Sequence, residues 1–256
     1  MQTFILPLFC EFGFYILSYT REVHTLKCDK KIVSCSKGEE CLFPSATDFF
    51  YDWKDIDDSI KRGVVKNEDR WNDIIEIAKC KYGNDIAIHR PSGDVRSKLH
   101  ITFDITGTTK VPKSDICICA RKRLVAPSRN FKYWQAVIDF CKTFGLTVSV
   151  VGKQEFTFSD LHNVDFFSFD FGNTTDSVVS VLKNSKILLT TDTGISHLAS
   201  LIRMRQMVIE SPMASAIGWI KRDRPDLVIH LPKTCYKDPQ PIFVQIESLC
   251  NESYFS

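Results

Sequence analysis

The chain has 256 residues, 44% hydrophobic and 25% charged, with 33 Lys and Arg against 31 Asp and Glu and a formal net charge of +2. That composition excludes a disordered tail or a fibre, and the near-neutral balance excludes a protein that coats nucleic acid through a dense basic footprint. The length admits one large domain or two smaller ones.

Met1 to Thr20 is strongly apolar, but no Lys or Arg precedes the apolar run, Glu11 interrupts it, and no small-residue cleavage site comes before Arg21 and Glu22. The segment reads as a buried strand, Phe4 to Phe9, a turn Cys10-Glu11-Phe12-Gly13, and a helix from Phe14 to Leu26 with Ile16, Tyr19, Val23 and Leu26 at helical spacing. A strand from Lys31 to Cys35 completes a strand-helix-strand unit, the seed of a parallel sheet. The stretch Asp48 to Asp58 is acidic and aromatic and has no clear period. Its Asp55-Ile56-Asp57 and Asp58 have the spacing of a divalent-metal motif, yet no long hydrophobic strand leads into them and Lys54 and Lys61 flank them, so they read as a solvated helix start. Trp71, Ile74, Ile75, Ala78 and Tyr82 mark one face of a helix closed by Gly83, with a strand from Asp85 to His89 after it.

Residues 105–114 are polar and carry Gly107 and Pro112, the most linker-like piece of the chain, so the expected domains are 1–110 and 111–256. The second half alternates more cleanly: a strand Asp115–Ala120, a helix Tyr133–Phe144 with Trp134, Val137, Ile138 and Cys141 inward and Gly145 as its stop, and a strand Leu146–Val151 ending at Gly152. A helix Thr175–Lys183, a strand Ile187–Thr190, a helix Gly194–Ile202, strands at Met207–Ile209 and Leu227–Leu231, and a last helix Ile242–Cys250 follow. Both halves are therefore expected to be α/β, Rossmann-like, doubly wound parallel sheets, with the last helix free to pack back on the N-terminal domain. No stretch after the N-terminus approaches about eighteen apolar residues without a charge, so no transmembrane span is expected.

Ten cysteines in a chain this long do not make a disulfide scaffold, and no pair has the spacing of a zinc or redox centre. Cys28, Cys35 and Cys41 come nearest to a cluster but lack His at ligand spacing. Cys117 and Cys119 alternate with Ile116 and Ile118 as small buried hydrophobes. A reducing, cytoplasmic home and no bound metal are the expectations.

The chemistry concentrates between Lys186 and Ala199, where an apolar strand runs into Asp192-Thr193-Gly194 and a helix begins at the glycine. The first turn of a helix presents unpaired N–H groups and the positive end of its dipole; Gly194 would let a phosphate approach closely, and Thr193 and Ser196 could add hydroxyls. A purely structural account has Asp192 or Thr193 capping the helix and Gly194 relieving a tight turn, and the residues alone leave both open. A second feature is the run Arg121, Lys122, Arg123, Arg129 and Lys132, five basic residues without an acid, directly after the first strand of this half. It lies at the carboxyl edge of the sheet, where α/β proteins bind ligands. Arg121 and Arg129 are preferred over Lys122 and Arg123; a solvated basic loop is the plainer alternative.

Thr191 to Ala199, with the strand before it, resembles the donor-binding loop of GT-B glycosyltransferases, most closely the bacterial ADP-heptosyltransferases, and the likeness extends from Cys117 to about Pro212. The resemblance implies two Rossmann-like domains facing across a cleft, the N-terminal one trimmed in this chain. It implies a nucleotide sugar held at its diphosphate by Asp192, Thr193, Gly194, Ser196 and His197, with Arg121, Arg129 and Lys132 countering the charge of the leaving group. His197 on its own, beside Leu198 and Leu201, would read as a core histidine. Gly152 and Phe169, in the Phe-rich stretch Phe166 to Phe171, would then flank the nucleobase, although such stretches also suit a core. The turn Glu11-Phe12-Gly13 resembles the Glu-aromatic-or-Leu-Gly turn of related GT-B enzymes, whereas heptosyltransferases carry an aspartate placed slightly differently. Glu11 thereby becomes the general base for an acceptor hydroxyl; the alternative is a helix-start carboxylate interacting with the dipole.

The resulting expectation is an inverting, metal-independent glycosyltransferase that moves a sugar from a nucleotide diphosphate donor to a hydroxyl of a glycan or glycoconjugate acceptor, without a cofactor. The rival is a non-catalytic module of degenerate GT-B fold that binds a nucleotide sugar or sugar phosphate. A nicotinamide-dependent enzyme is disfavoured, because no Gly-x-Gly-x-x-Gly turn follows the first strand of either half.

Overall fold

A computed structural model describes residues 2–8, 15–51, 67–94, 98–123, 127, 130–212, 223–252 and 254–255. They form two parallel sheets, one in each of two compact units, Met1–Ile105 and Thr106–Ser256.

In the N-terminal unit, β1 (Gln2–Ile5), β2 (Lys30–Ser34), β3 (Asp48–Phe50) and β4 (Ala87–His89) lie in the order β3-β2-β1-β4, every pair parallel. The chain takes this order because β1 is apolar on both faces: Phe4 and Ile5 are fully buried, as a central parallel strand requires. The strand expected to reach Phe9 ends at Ile5, although the Leu6 N–H still donates to the His89 carbonyl at 3.1 Å. A wide π-type turn, Tyr15–Tyr19, runs into α1 (Thr20–Thr25). Ile16, Tyr19 and Val23 are fully buried as their spacing predicts, while Leu26 stands past the helix end in extended backbone. Lys31, 6% exposed, closes that end: its Nζ donates to the carbonyls of Val23 (2.8 Å) and His24 (3.2 Å) and to Ser45 Oγ (3.2 Å). Carbonyls that no helical N–H can reach thus find a buried cation.

α2 (Asn67–Tyr82) presents Trp71, Ile74, Ile75 and Ala78 to the sheet, where they meet Phe4, Leu6, Ile32 and Phe50. β3 falls on the stretch that has no clear period, and only Phe50 of its three residues is buried, edge-on to the Phe4 ring at 5.1 Å. The expected turn Cys10–Gly13 and the Asp55–Asp58 run lie outside the described residues.

The C-terminal unit holds β5 (Ser114–Cys119), β6 (Val148–Val150), β7 (Phe166–Phe167), β8 (Ser185–Thr191), β9 (Gln206–Ile209) and β10 (Val228–Leu231), all parallel, in the order β7-β6-β5-β8-β9-β10. Numbered within the unit, that order is 3-2-1-4-5-6, a doubly wound sheet. The helices are α3 (Trp134–Thr143), α4 (Thr175–Lys183), α5 (Gly194–Leu201) and α6 (Gln240–Asn251). Ile116, Ile118, Val148, Val150, Ile187 and Leu189 form the core with Trp134, Val137, Ile138 and Cys141 of α3 and Ile242, Ile246 and Leu249 of α6. Each such side chain contributes about 1.5–3 kcal/mol by leaving water. Ile242, Ile246 and Leu249 of the last helix thus belong to the core of the C-terminal unit.

The segment with linker composition is fastened to α4. Asp176, in the first turn of that helix, accepts from the N–H groups of Thr108 (2.9 Å) and Thr109 (3.0 Å) and from both threonine hydroxyls (3.2 and 2.5 Å). Beside it the Gly107 backbone runs against α4 so closely that an added Cβ would stand 2.0 Å from Ser180 Oγ and 2.6 Å from the Ser180 nitrogen.

The nine described cysteines are free, and burial pushes the Cys117 and Cys141 thiols up to about 12, as expected of cysteines used as packing. Among the described residues, no three or more His, Cys, Asp or Glu are grouped to hold a metal ion, and no helix is long and apolar enough to cross a membrane.

Candidate functional site

The strand order of the C-terminal unit reverses between β5 and β8, which puts its ligand crevice at the carboxyl ends of those two strands. β8 ends at Thr191; Asp192 and Thr193 follow, Thr193 with extended backbone (φ −145°, ψ 166°), and α5 starts at Gly194. Asp192 and Thr193 are buried, 5% and 4% exposed, whereas Gly194 and Ile195 are partly open. What this turn offers a ligand is thus the backbone of the first turn of α5.

The hydroxyls of the turn face inward. Thr193 makes no side-chain cap; its Oγ1 lies 3.3 Å from Thr190 Oγ1 and 3.9 Å from Cys119 Sγ. Ser196 is fully buried and its Oγ donates to the Thr191 carbonyl at 3.3 Å. Both side chains stiffen the turn from beneath. His197, 2% exposed, is buried in the same helix.

On the other side of the switch point, the chain leaving β5 is held by residues 156–158. Arg121 bridges to Thr157, the Lys122 N–H donates to the Phe156 carbonyl at 2.7 Å, and the Phe158 N–H donates to the Ala120 carbonyl at 3.0 Å. Arg121 and Lys122 are exposed. Arg123, half-buried, crosses the switch point: its Nη2 donates to the Asp192 carbonyl at 2.9 Å. Its own main chain is clamped by Asn130, whose Oδ1 accepts the Arg123 N–H at 2.8 Å and whose Nδ2 donates to the Arg123 carbonyl at 3.3 Å. Arg123, set behind Arg121 and Arg129 by sequence reasoning, is the basic residue that the described contacts bring to the turn. Lys132 is exposed, its Nζ 5.0 Å from the Tyr133 ring centroid. Arg129 and Glu11 lie outside the described residues.

Gly152 and Phe169 share one corner at the end of β6. Gly152 is left-handed (φ +149°), and a Cβ there would meet Thr157 Oγ1 at 2.3 Å, so the position needs glycine. Ser168 Oγ accepts the Gly152 N–H at 3.0 Å and donates to its carbonyl at 2.8 Å, while Phe169 stacks on Phe167 at 4.8 Å.

The N-terminal sheet also reverses its order, between β1 and β4, and a polar cluster absent from the sequence reading lies there. Glu22 of α1, 7% exposed, accepts from the Ser92 N–H (3.0 and 3.2 Å) and the Ser92 hydroxyl (2.8 Å), and its Oε1 lies 2.9 Å from Nε2 of His89, the last residue of β4. Burial pushes the Glu22 carboxyl up, but the bonds from His89 and Ser92 outweigh it and hold the group below its ordinary value. The first helix, Thr-Arg-Glu-Val-His-Thr, is polar at five of its six positions, so nothing in its sequence sets Glu22 apart.

No family model and no curated protein matches the sequence significantly. Solved structures do match. The E. coli ADP-heptose lps heptosyltransferase II superposes with a TM-score of 0.55 at 10% identity over 99% of either chain. The E. coli heptosyltransferase WaaC with ADP does so with a TM-score of 0.50 at 9% identity over 100% of either chain. The chain has the heptosyltransferase-like GT-B fold. TibC, a bacterial iron-containing dodecameric glycosyltransferase from enterotoxigenic E. coli, is a weaker match, with a TM-score of 0.48 at 11% identity over 81% of this chain, which spans 57% of its length.

Proposed function

We propose that the chain is a glycosyltransferase that moves a sugar from a nucleotide diphosphate donor to a hydroxyl of a glycan or glycoconjugate acceptor. The observation that carries this reading is the open first turn of α5 at the switch point of the C-terminal sheet, braced through Arg123 on the Asp192 carbonyl. A GT-B fold shared with a heptosyltransferase solved with ADP supports it.

In this reading the diphosphate oxygens accept from the N–H groups that open α5. The dipole of the helix and the basic side chains Arg123, Arg129 and Lys132 then counter the negative charge that grows as the glycosidic oxygen departs. Charge neutralised in this way requires no divalent ion, and transfer is metal-independent. Glu11 takes the proton from the acceptor hydroxyl as it attacks the anomeric carbon from the face opposite the diphosphate, which inverts that centre. A cytoplasmic location goes with this reading.

Gly194 makes the donor site testable. Its backbone is not left-handed, so a side chain there is conformationally tolerable and a substitution reports on space above the turn. Gly194→Val is expected to lower nucleoside diphosphate affinity at least about 100-fold by calorimetry (about 2.7 kcal/mol); undiminished affinity refutes the phosphate site. Glu11→Gln is expected to keep donor binding and abolish transfer, and full turnover in that variant removes the base assignment. A panel of nucleotide sugars, read by release of UDP, GDP or ADP, identifies the donor. Nucleotide binding without transfer from any donor would favour the binding-module alternative.

A further inference from the structure

His89 ends β4, and β4 pairs with β1 with His89 opposite Ile5, so the imidazole stands at the carboxyl edge where the N-terminal strand order reverses. Its side chain is 25% exposed, while that of Glu22 behind it is 9% exposed. The four contacts described above leave the Glu22 carboxylate saturated by Ser92 and His89. An ionised carboxylate only accepts hydrogen bonds, so Nε2 of His89 carries the proton toward Glu22. In the neutral ring Nδ1 is then a lone-pair acceptor. Among the described residues, Nδ1 makes no hydrogen bond. A buried glutamate and a loop serine therefore fix the tautomer of a partly open histidine at the place where an α/β sheet receives ligands.

The geometry points to His89 as an acceptor-binding residue, its Nδ1 taking a hydrogen bond from a hydroxyl of the sugar acceptor while Glu22 and Ser92 hold the ring. The inference rests on the glycosyl-transfer reading and deepens it on the acceptor side, where His89 orients one acceptor hydroxyl. A fixed lone pair selects a polyol over a deoxy analogue, because the analogue leaves the nitrogen desolvated and unpaired.

Two substitutions separate recognition from packing. In His89→Gln the amide nitrogen can occupy the place of Nε2 and keep the bond to Glu22, with nothing left at Nδ1. In His89→Asn the amide oxygen can occupy the place of Nδ1, and the Glu22 bond is lost. With methyl hexopyranosides as acceptor probes, H89Q is expected to melt with the unaltered protein, to bind nucleoside diphosphate normally, and to raise acceptor KM about 10-fold with little change in kcat. H89N is expected to recover most of the acceptor KM at a lower melting temperature. A packing role gives the reverse order, and an unchanged acceptor KM in H89Q overturns the inference while leaving glycosyl transfer standing. Failure of the unaltered protein to transfer from any nucleotide sugar removes the glycosyl-transfer reading, and this inference with it. Nitrogen-15 NMR of the unaltered protein, read for the neutral ring, reports the tautomer independently: a proton on Nε2 is expected, and one on Nδ1 overturns the proposal even if the variants fail to fold.

Discussion

Arg123 joins two loops that leave different strands, and one bond, from its Nη2 to the Asp192 carbonyl, fixes the height of the turn that opens α5. A hydrogen bond from a charged donor is worth about 1.5–3 kcal/mol, so Arg123→Met is expected to weaken nucleoside diphosphate binding about 10-fold or more in a calorimetric titration. Arg123→Lys restores little, because an ammonium lacks the planar fork; wild-type affinity in R123M would show that the brace is dispensable. Lys31→Met is a second test at this scale. It keeps the length of the stem and leaves the Val23 and His24 carbonyls without their cation, and a loss of about 1–3 kcal/mol in urea unfolding is expected. Asp192-Thr193-Gly194 was legible because a strand, a turn and a helix start follow one another within a few residues. Arg123 stood in plain sight among five basic residues; what sets it at the Asp192 carbonyl is the tie of residues 120–122 to 156–158, a long-range contact that no local pattern shows. Glu22 and His89 are 67 residues apart, and only the parallel pairing of β4 with β1 makes them neighbours.

The elements that the sequence disclosed are those long enough to show a period. α3, α4, β5 and β8 lie where their apolar spacing puts them, whereas β3 and β7, of three and two residues, offer too few positions to alternate. The π-type turn before α1 carries no sequence mark of its own, because all five of its residues are buried and no face distinguishes it from ordinary helix. The connector shows a different failure. Polarity, glycine and proline describe a solvated linker and a docked one equally well, and the threonines that suggested solvent are those that bond Asp176. Gly107→Val would drive a branched side chain into Ser180 and its backbone. A loss of about 1–3 kcal/mol is expected, together with faster amide exchange in α4; a variant as stable as the original would show that the connector yields freely.

At the scale of the whole molecule, acid is the sensitive direction. Burial raises the carboxyl groups of Glu22, Asp115 and Asp176, but hydrogen bonds outweigh it: from His89 and Ser92 to Glu22, from Thr147 and Lys186 to Asp115, and from Thr109 and Thr108 to Asp176. All three are held below their ordinary values of 4.5, 3.8 and 3.8. A carboxyl depressed by folding binds fewer protons in the native state, so its stabilisation is complete above the ordinary value and is lost as pH falls through the depressed one. Urea melts from about pH 6 to about pH 3 are expected to show falling stability in both units, with E22Q flattening the slope in the N-terminal unit and D176N in the C-terminal one. Unaltered slopes in both variants would assign the acid sensitivity to other groups. The two sheets also share a property of their margins. Their outer strands, β3, β4, β7 and β10, are only three, three, two and four residues long. A second chain arriving edge-on meets almost no unpaired backbone to extend, so the architecture itself guards against aggregation by strand addition, before any charge on the surface is counted.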